Sequence, residues 1–189
     1  MRPTLHGPIS AEEYLRTEIE SEFRREYVGG FWYGLHGESY EEDGTSAAHH
    51  DIATNVMMKV FGLCDRRKLW LASSQFKLHV PERPSFFYPD LAIYRTADVQ
   101  EWYGVAPLFL LEVTEPRTEF VDRCVKYHAY TALPSLQTYL IAQQTERRVY
   151  AYRRQVGEWN LTEYEGHGEI PLPCLNISLS LDEIYEDVL

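Results

Sequence analysis

Three charged residues in this chain have the types and spacing of a catalytic site. Glu112 lies within the run 107–113, whose other members are all apolar. Such a run predicts a strand buried on both faces, where an ionised carboxylate is costly unless a partner compensates its charge. Asp90 precedes a second apolar run, 91–94, and Lys126 follows on a predicted helix. Two acids and a lysine suggest a metal site.

The spacing of the two acids is compatible with one shared cation. Residues i and i+2 of a strand share a face, so Glu112 points with Thr114 and away from Leu111. Asp90 precedes Glu112 by 22 residues, enough for two adjacent strands joined by a loop. Carboxylate oxygens suit Mg²⁺ or Mn²⁺, which keep several waters and take one or two protein carboxylates. A helix returning over the sheet would bring Lys126 to the same place.

These residue types predict hydrolytic phosphoryl chemistry. A metal lowers the pKa of a bound water and offsets phosphate charge, while an ammonium group orients the water or stabilises the transition state. Each residue also has a purely structural interpretation. Asp90 would cap a turn, and Glu112 would be compensated by an arginine. Lys126 would pair with Asp122 at the surface, a contact worth about 0.3–0.5 kcal/mol. The three together favour a site, because perturbed buried charges cluster at functional positions.

The elements that must position these residues are predicted from periodicity and capping. Ser10 opens a capping box before a short helix, and Thr45 or Ser46 caps an amphipathic helix that ends near residue 64. Residues 29–30 join two β-rich runs as a hairpin. Further strands are expected at 68–72, 75–80, 88–94, 108–114, 138–142 and 147–153, and further helices at 116–131 and 181–188. This order predicts one α/β domain with a mixed sheet.

Composition limits the compartment and the partners. The chain has 189 residues, of which 44% are hydrophobic, and no run approaches the ~18–20 apolar residues of a membrane span. The first eight residues lack an apolar signal region, so we expect a cytoplasmic protein without membrane association. The net charge of -11 weighs against nucleic-acid binding, which draws on Lys and Arg. Acids concentrate in the first quarter, including 41–43, whereas Arg117 and other arginines in the second half leave room for a local basic surface.

Several motifs occur together in this sequence. They are Ala11-Glu12-Glu13-Tyr14-Leu15, Arg25-Glu26-Tyr27-Val28-Gly29-Gly30, Ser46-Ala47-Ala48-His49, Tyr88-Pro89-Asp90, Leu110-Leu111-Glu112-Val113 and Lys126 with Tyr130. With these motifs the chain resembles the Uma family of restriction endonucleases, which is a branch of the PD-(D/E)XK nuclease superfamily. In that family the lysine lies on the helix and not two residues after the second acid, a position that is Thr114 here. Glu115 departs from the small polar residue that is usual before the following proline.

The resemblance implies a restriction-endonuclease-like core, in which a mixed central β-sheet is flanked by helices. Residues 1–189 would form one such domain, with an N-terminal helix and hairpin at 10–36, the nuclease-like core at 45–154 and a C-terminal tail at 155–189. Mg²⁺ or Mn²⁺ would bind Asp90, Glu112 and the backbone carbonyl of Val113. The catalytic residues would be Asp90, Glu112 and Lys126, supported by Glu26, His49 and Tyr130.

The implied activity is endonucleolytic hydrolysis of nucleic acid, with DNA favoured over RNA, by a homodimer. Two other functions stay open. The acidic composition suits a catalytically weak or inactive relative that acts as a dimeric binding or regulatory module. It also suits a phosphodiesterase for a small phosphorylated molecule better than an enzyme for long nucleic acid.

Overall fold

The computed structural model describes residues 3–36, 38, 44–116 and 118–189. The acidic segment 41–43 and Arg117, both noted in the sequence, lie outside the described residues. The helices and strands are α1 (Ala11–Glu18), β1 (Arg25–Val28), β2 (Phe31–Gly34), α2 (Ala47–Leu63), β3 (Leu69–Ser73), β4 (Lys77–Val80), β5 (Ser85–Phe87), β6 (Leu91–Arg95), β7 (Tyr103–Gly104), β8 (Pro107–Thr114), α3 (Tyr127–Tyr130), β9 (Thr138–Gln143), β10 (Arg148–Gln155), β11 (Glu158–Glu165), β12 (Glu169–Leu172), β13 (Ile177–Ser180) and α4 (Leu181–Ile184). A 3-10 turn covers Thr96–Asp98, and a π-helical segment, Val121–Lys126, leads directly into α3.

A six-stranded sheet in the order β11-β10-β9-β8-β6-β3 forms the centre of the fold. β8 and β9 run parallel and the other neighbouring strands are antiparallel, so the sheet is mixed. β8 is buried along its whole length, as its apolar run predicts. A five-stranded sheet in the order β2-β1-β5-β4-β7 and the β12-β13 hairpin complete the structure. The prediction of an α/β fold with a mixed central sheet flanked by helices is confirmed.

Alternation along β8 separates two layers of the core. Leu111 and Val113 pack on the side covered by α2 and by the C-terminal hairpin. Leu110 packs on the opposite side with Tyr130, which belongs to α3. Glu112 shares the face of Leu110, because side chains two apart on a strand point the same way. The acid therefore faces the π-helical segment and α3 and not α2.

Some elements differ from the sequence predictions. The strand expected at 88–94 begins only at Leu91, so Asp90 stands just before β6. β11, β12 and β13 were not predicted, because partly exposed strands rich in polar residues lack a continuous apolar run. Residues 155–189 add buried side chains, including Ile170 and Leu179, to the core cluster on the α2 side. Among the described residues, no helix combines the length and apolarity that crossing a membrane requires.

Candidate active site

Glu112 lies on β8, and Asp90 directly precedes β6, the antiparallel neighbour of β8. Leu91 of β6 pairs with Leu111 of β8, so Asp90 stands next to Glu112 along the chain direction of this pair. Asp90 Oδ2 accepts a hydrogen bond of 2.7 Å from the backbone N–H of Val113. This bond holds the carboxylate against β8, next to the strand position of Glu112.

Lys126 contacts three buried carboxylates from the opposite side of the site. Its Nζ lies 3.0 Å from Glu112 Oε2, 3.3 Å from Glu26 Oε1 and 3.4 Å from Asp122 Oδ1. The alternative of an exposed pair with Asp122 is wrong, because the helix turns this face toward the sheet and buries both side chains. The Tyr130 hydroxyl donates to the other oxygen of Glu112 at 2.8 Å. Both carboxylate oxygens of Glu112 therefore accept hydrogen bonds from side chains of the helical segment, Lys126 and Tyr130.

Acidic side chains outnumber basic ones in this cluster. Burial raises the pKa of Glu112 well above its usual value, although Lys126 acts in the other direction. Burial also raises the pKa of Glu26 and of Asp122, again against the effect of Lys126. Burial alone would lower the pKa of Lys126, but the three carboxylates outweigh it and raise that pKa well above its usual value. Lys126 is therefore an ammonium at neutral pH, and three carboxylates share it.

His49 holds Asp90 from the side of α2. Ser46, the N-cap of α2, accepts a hydrogen bond from the backbone N–H of His49, which lies in the first turn. His49 Nε2 lies 2.9 Å from Asp90 Oδ1, and because an ionised carboxylate only accepts, Nε2–H is the donor. Burial would raise the pKa of Asp90, but His49 and the Val113 N–H together lower it. His49 Nδ1 lies 3.7 Å from Glu115 Oε1, so the unusual acid noted in the sequence also reaches this site.

Glu26 connects the N-terminal hairpin to the site. It lies on β1 and is completely buried. Its Oε1 accepts from the backbone N–H of Tyr88 at 3.0 Å, and its Oε2 accepts from the Tyr33 hydroxyl at 2.8 Å. Tyr88 lies two residues before Asp90 in the chain. Glu26 therefore positions both the Lys126 ammonium and the backbone that leads into Asp90.

The catalytic candidates line a cavity of about 20 Å³, together with Val113 and Asp122. That volume is enough for about one water-sized species, since a buried water needs at least ~10–15 Å³. Within the described parts of the chain no cluster of three or more His, Cys, Asp or Glu side chains could hold a metal ion. Two carboxylates supplemented by backbone oxygen and water form the donor set that Mg²⁺ accepts. The excess of acidic side chains over Lys126 also fits a divalent cation, whose charge would favour their ionised forms.

All six side chains singled out in the sequence meet in this region: Asp90, Glu112, Lys126, Glu26, His49 and Tyr130. Glu26 and Tyr130 do not line the cavity themselves. Glu26 contacts Lys126, and Tyr130 contacts Glu112. The sequence predicted Asp122 only as a surface partner of Lys126, although their spacing placed both on one helix face. The hydroxyls of Thr114 and Thr118 also belong to the site, since their hydrogen bonds partly offset the effect of burial on the Asp122 pKa.

A mixed sheet whose neighbouring strands bring two acids together beside a helix-borne lysine is the arrangement of a restriction-endonuclease-like protein. The chain belongs to the Uma2 family, described as "Putative restriction endonuclease", whose model matches residues 11–182. The family resemblance seen in the sequence is thereby confirmed.

The chain is also similar to two proteins of one organism and to a solved structure. One uncharacterized protein of Synechocystis sp. is 25% identical over 182 residues, covering 94% of this chain and 91% of that protein. Another from the same organism is 27% identical over 176 residues, covering 89% and 95%. The crystal structure of "a putative nuclease belonging to DUF820" from Anabaena variabilis matches with a TM-score of 0.72 at 15% identity, covering 96% of this chain and 100% of that chain. The last match confirms the predicted fold class.

Proposed function

We propose that the protein is a Mg²⁺- or Mn²⁺-dependent endonuclease that hydrolyses phosphodiester bonds in nucleic acid, with DNA favoured over RNA. The observation that carries this proposal is the convergence of Asp90, Glu112 and Lys126 on one small cavity whose lining has more acids than bases. Membership of the Uma2 family supports the nuclease class. A homodimer and a cytoplasmic location are the accompanying predictions, to be tested by sedimentation and by cell fractionation.

The metal would be held by Asp90, Glu112 and the backbone carbonyl of Val113. A bound divalent ion supplies charge stabilisation for the phosphate and lowers the pKa of a coordinated water. Lys126 contributes a protonated ammonium, because three carboxylates keep its pKa high. It can therefore donate a hydrogen bond to the attacking water or to a phosphate oxygen, and it does not act as the general base.

The supporting residues orient these groups. His49 donates to Asp90, Tyr130 donates to Glu112, and Glu26 contacts the Lys126 ammonium. Partners of this kind hold metal ligands and catalytic groups in one rotamer, so that little reorganisation accompanies the reaction.

Asp90→Asn is expected to reduce metal-dependent cleavage by at least about 100-fold, because the site loses a charged ligand and a preorganised electrostatic contact. The measurement is cleavage of labelled single- and double-stranded DNA and RNA in Mg²⁺, in Mn²⁺ and in EDTA. Asp98→Asn, a change of the same type in the 3-10 turn, should leave the rate unchanged. Wild-type protein that cleaves none of these substrates with either metal, or full activity of Asp90→Asn, would refute the proposal.

Wild type and Asp90→Asn also test the two alternative functions, a small-molecule phosphodiesterase and a binding or regulatory module. Hydrolysis of small phosphodiesters and nucleotides without cleavage of any polynucleotide would favour the small-molecule phosphodiesterase. Strong association with a partner that persists in EDTA and in Asp90→Asn, with no hydrolysis at all, would favour the binding or regulatory module.

His49→Leu is expected to weaken Mg²⁺ or Mn²⁺ binding by about 10–100-fold, the usual effect of removing a group that orients a metal ligand. The change leaves Asp90 Oδ1 without its donor. Titration calorimetry with each metal measures the effect without requiring turnover. His49→Gln should restore part of the affinity, since its amide N–H can donate. His128→Leu, at an exposed position of α3, is the control. Equal affinity of His49→Leu and wild type would exclude this orienting role.

A further inference from the structure

A polar groove adjoins the catalytic cavity. It lies between α2 and the turn that joins β3 to β4, has a volume of about 390 Å³, and shares His49 and Asp90 with the cavity. Polar side chains of α2 and of the turn line its walls: His50, Thr54, Ser74 and Gln75. The groove is therefore an approach to Asp90 lined with hydrogen-bonding groups.

The groove differs in charge from the chain as a whole. Arg24, His49 and His50 are among its described lining residues, and Asp90 is the one acid among them. Arg24 Nη1 donates to the backbone carbonyl of Ser74 at 3.1 Å, which fixes the guanidinium at the wall. The whole chain carries a net charge of -11. Arg24 and Asp90 are opposite in sign, so the described lining has no excess of acid, and this hydrogen-bonding groove repels a polyanion less than the rest of the acidic chain does.

The burial of the catalytic side chains restricts the shape of the substrate. Glu112 and Lys126 are each only 3% exposed. A duplex is a rod whose grooves alone are about 6 and 12 Å wide, and its phosphates lie on a broad outer surface. A groove of about 390 Å³ is at the small end of ligand pockets, which span about 300–1,000 Å³. That volume suits one nucleotide of a strand that enters the groove, whereas a duplex would lie across its opening.

We propose that this groove receives a single strand of nucleic acid, so that the substrate is single-stranded or locally unpaired and not an intact duplex. The inference rests on the proposed nuclease function. The strand lies between α2 and the β3–β4 turn, with one phosphate at Asp90 and the adjoining nucleotide against His50 and Gln75. An intact duplex reaches the site only after unpairing, and that step weakens its binding.

Binding of labelled oligonucleotides to the full chain tests this inference. At low salt and with Ca²⁺, which binds carboxylates and offsets the charge of Asp90, fluorescence anisotropy compares a single-stranded DNA with the duplex of the same sequence. The single strand is expected to bind about tenfold more tightly, and Gln75→Glu to weaken its binding by about tenfold, because the new charge repels phosphate. Both Gln75 and the control position Met58 are exposed, so neither change should disturb folding. Met58→Glu adds the same charge to α2 outside the groove and should have no effect.

Each result decides the inference. Equal binding of duplex and single strand, no binding of either, or equal effects of Gln75→Glu and Met58→Glu would overturn it. Groove-dependent binding without cleavage in Mg²⁺ or Mn²⁺ would support the strand site and refute the proposed nuclease. Metal-dependent cleavage of intact duplex that Gln75→Glu leaves unchanged would support the nuclease and refute the strand site.

Discussion

Lys126→Met is expected to lower the free energy of unfolding by about 3–5 kcal/mol, the usual effect of removing one partner from a buried charge pair. The ammonium lies within 3.4 Å of carboxylate oxygens of Glu112, Glu26 and Asp122. Methionine matches the length of lysine but leaves these acids without their shared cation. Urea unfolding in EDTA, followed by circular dichroism, measures the loss without interference from bound metal.

A matched change at the surface separates this effect from a general loss of charge. Lys68 is 81% exposed and lies 3.7 Å from Asp65. Lys68→Met should change the free energy of unfolding by less than about 0.5 kcal/mol, because exposed pairs contribute little. The double variant Lys126→Met/Glu112→Gln should recover part of the loss, since it removes one of the uncompensated acids. Unfolding of Lys126→Met at the same urea concentration as wild type would mean that the carboxylates do not depend on this cation.

Glu112→Gln is expected to separate catalysis from stability. Cleavage should fall by about 10²–10³-fold or more, because the site loses a charged metal ligand and its preorganised electrostatics. The metal-free protein should be as stable as wild type or more stable by roughly 1 kcal/mol, since glutamine removes a buried charge. Glutamine keeps an acceptor for the Tyr130 hydroxyl, and Lys126 keeps Glu26 and Asp122 as partners. Single-turnover cleavage and urea unfolding in EDTA measure the two effects.

The effect of bound metal on the melting temperature distinguishes Glu112→Gln from wild type more clearly. Ligand binding to the folded state stabilises it by an amount set by ligand concentration and affinity. Saturating Mg²⁺ or Mn²⁺ should therefore raise the melting temperature of wild type and have little effect on Glu112→Gln. Glu158→Gln, at an exposed position of β11, should respond to metal as wild type does. An equal metal-induced shift in Glu112→Gln and wild type would contradict a role for this acid as a ligand.

Local sequence signals predicted the elements that carry the acids. The apolar run around Glu112 identified β8, and the Ser46 cap with its helical periodicity identified α2 and placed His49 in its first turn. These signals depend on neighbours within a few positions of one another, where capping and side-chain alternation operate. Lys126 was a candidate because it follows the two acids on a predicted helix, and the family motifs supported that prediction.

Long-range packing decided how these residues act. The hydrogen bond from Tyr88 to Glu26 spans 62 residues, and no local pattern indicates it. Asp122 had the spacing of an ordinary surface partner, and only the packing of its helix on the sheet made it a buried third acid around Lys126. A helical period shows which residues share a face but not what covers that face.

The sequence alone indicated the family and the mixed α/β fold and singled out the two acids and the lysine as site candidates, because motifs and periodicity are local properties of a chain. The tertiary structure decided that three carboxylates share one ammonium, that the site is nearly closed to solvent, and that a hydrogen-bonding groove leads to Asp90. Desolvation and charge pairing depend on every element that packs around a group, so they arise only when distant segments meet.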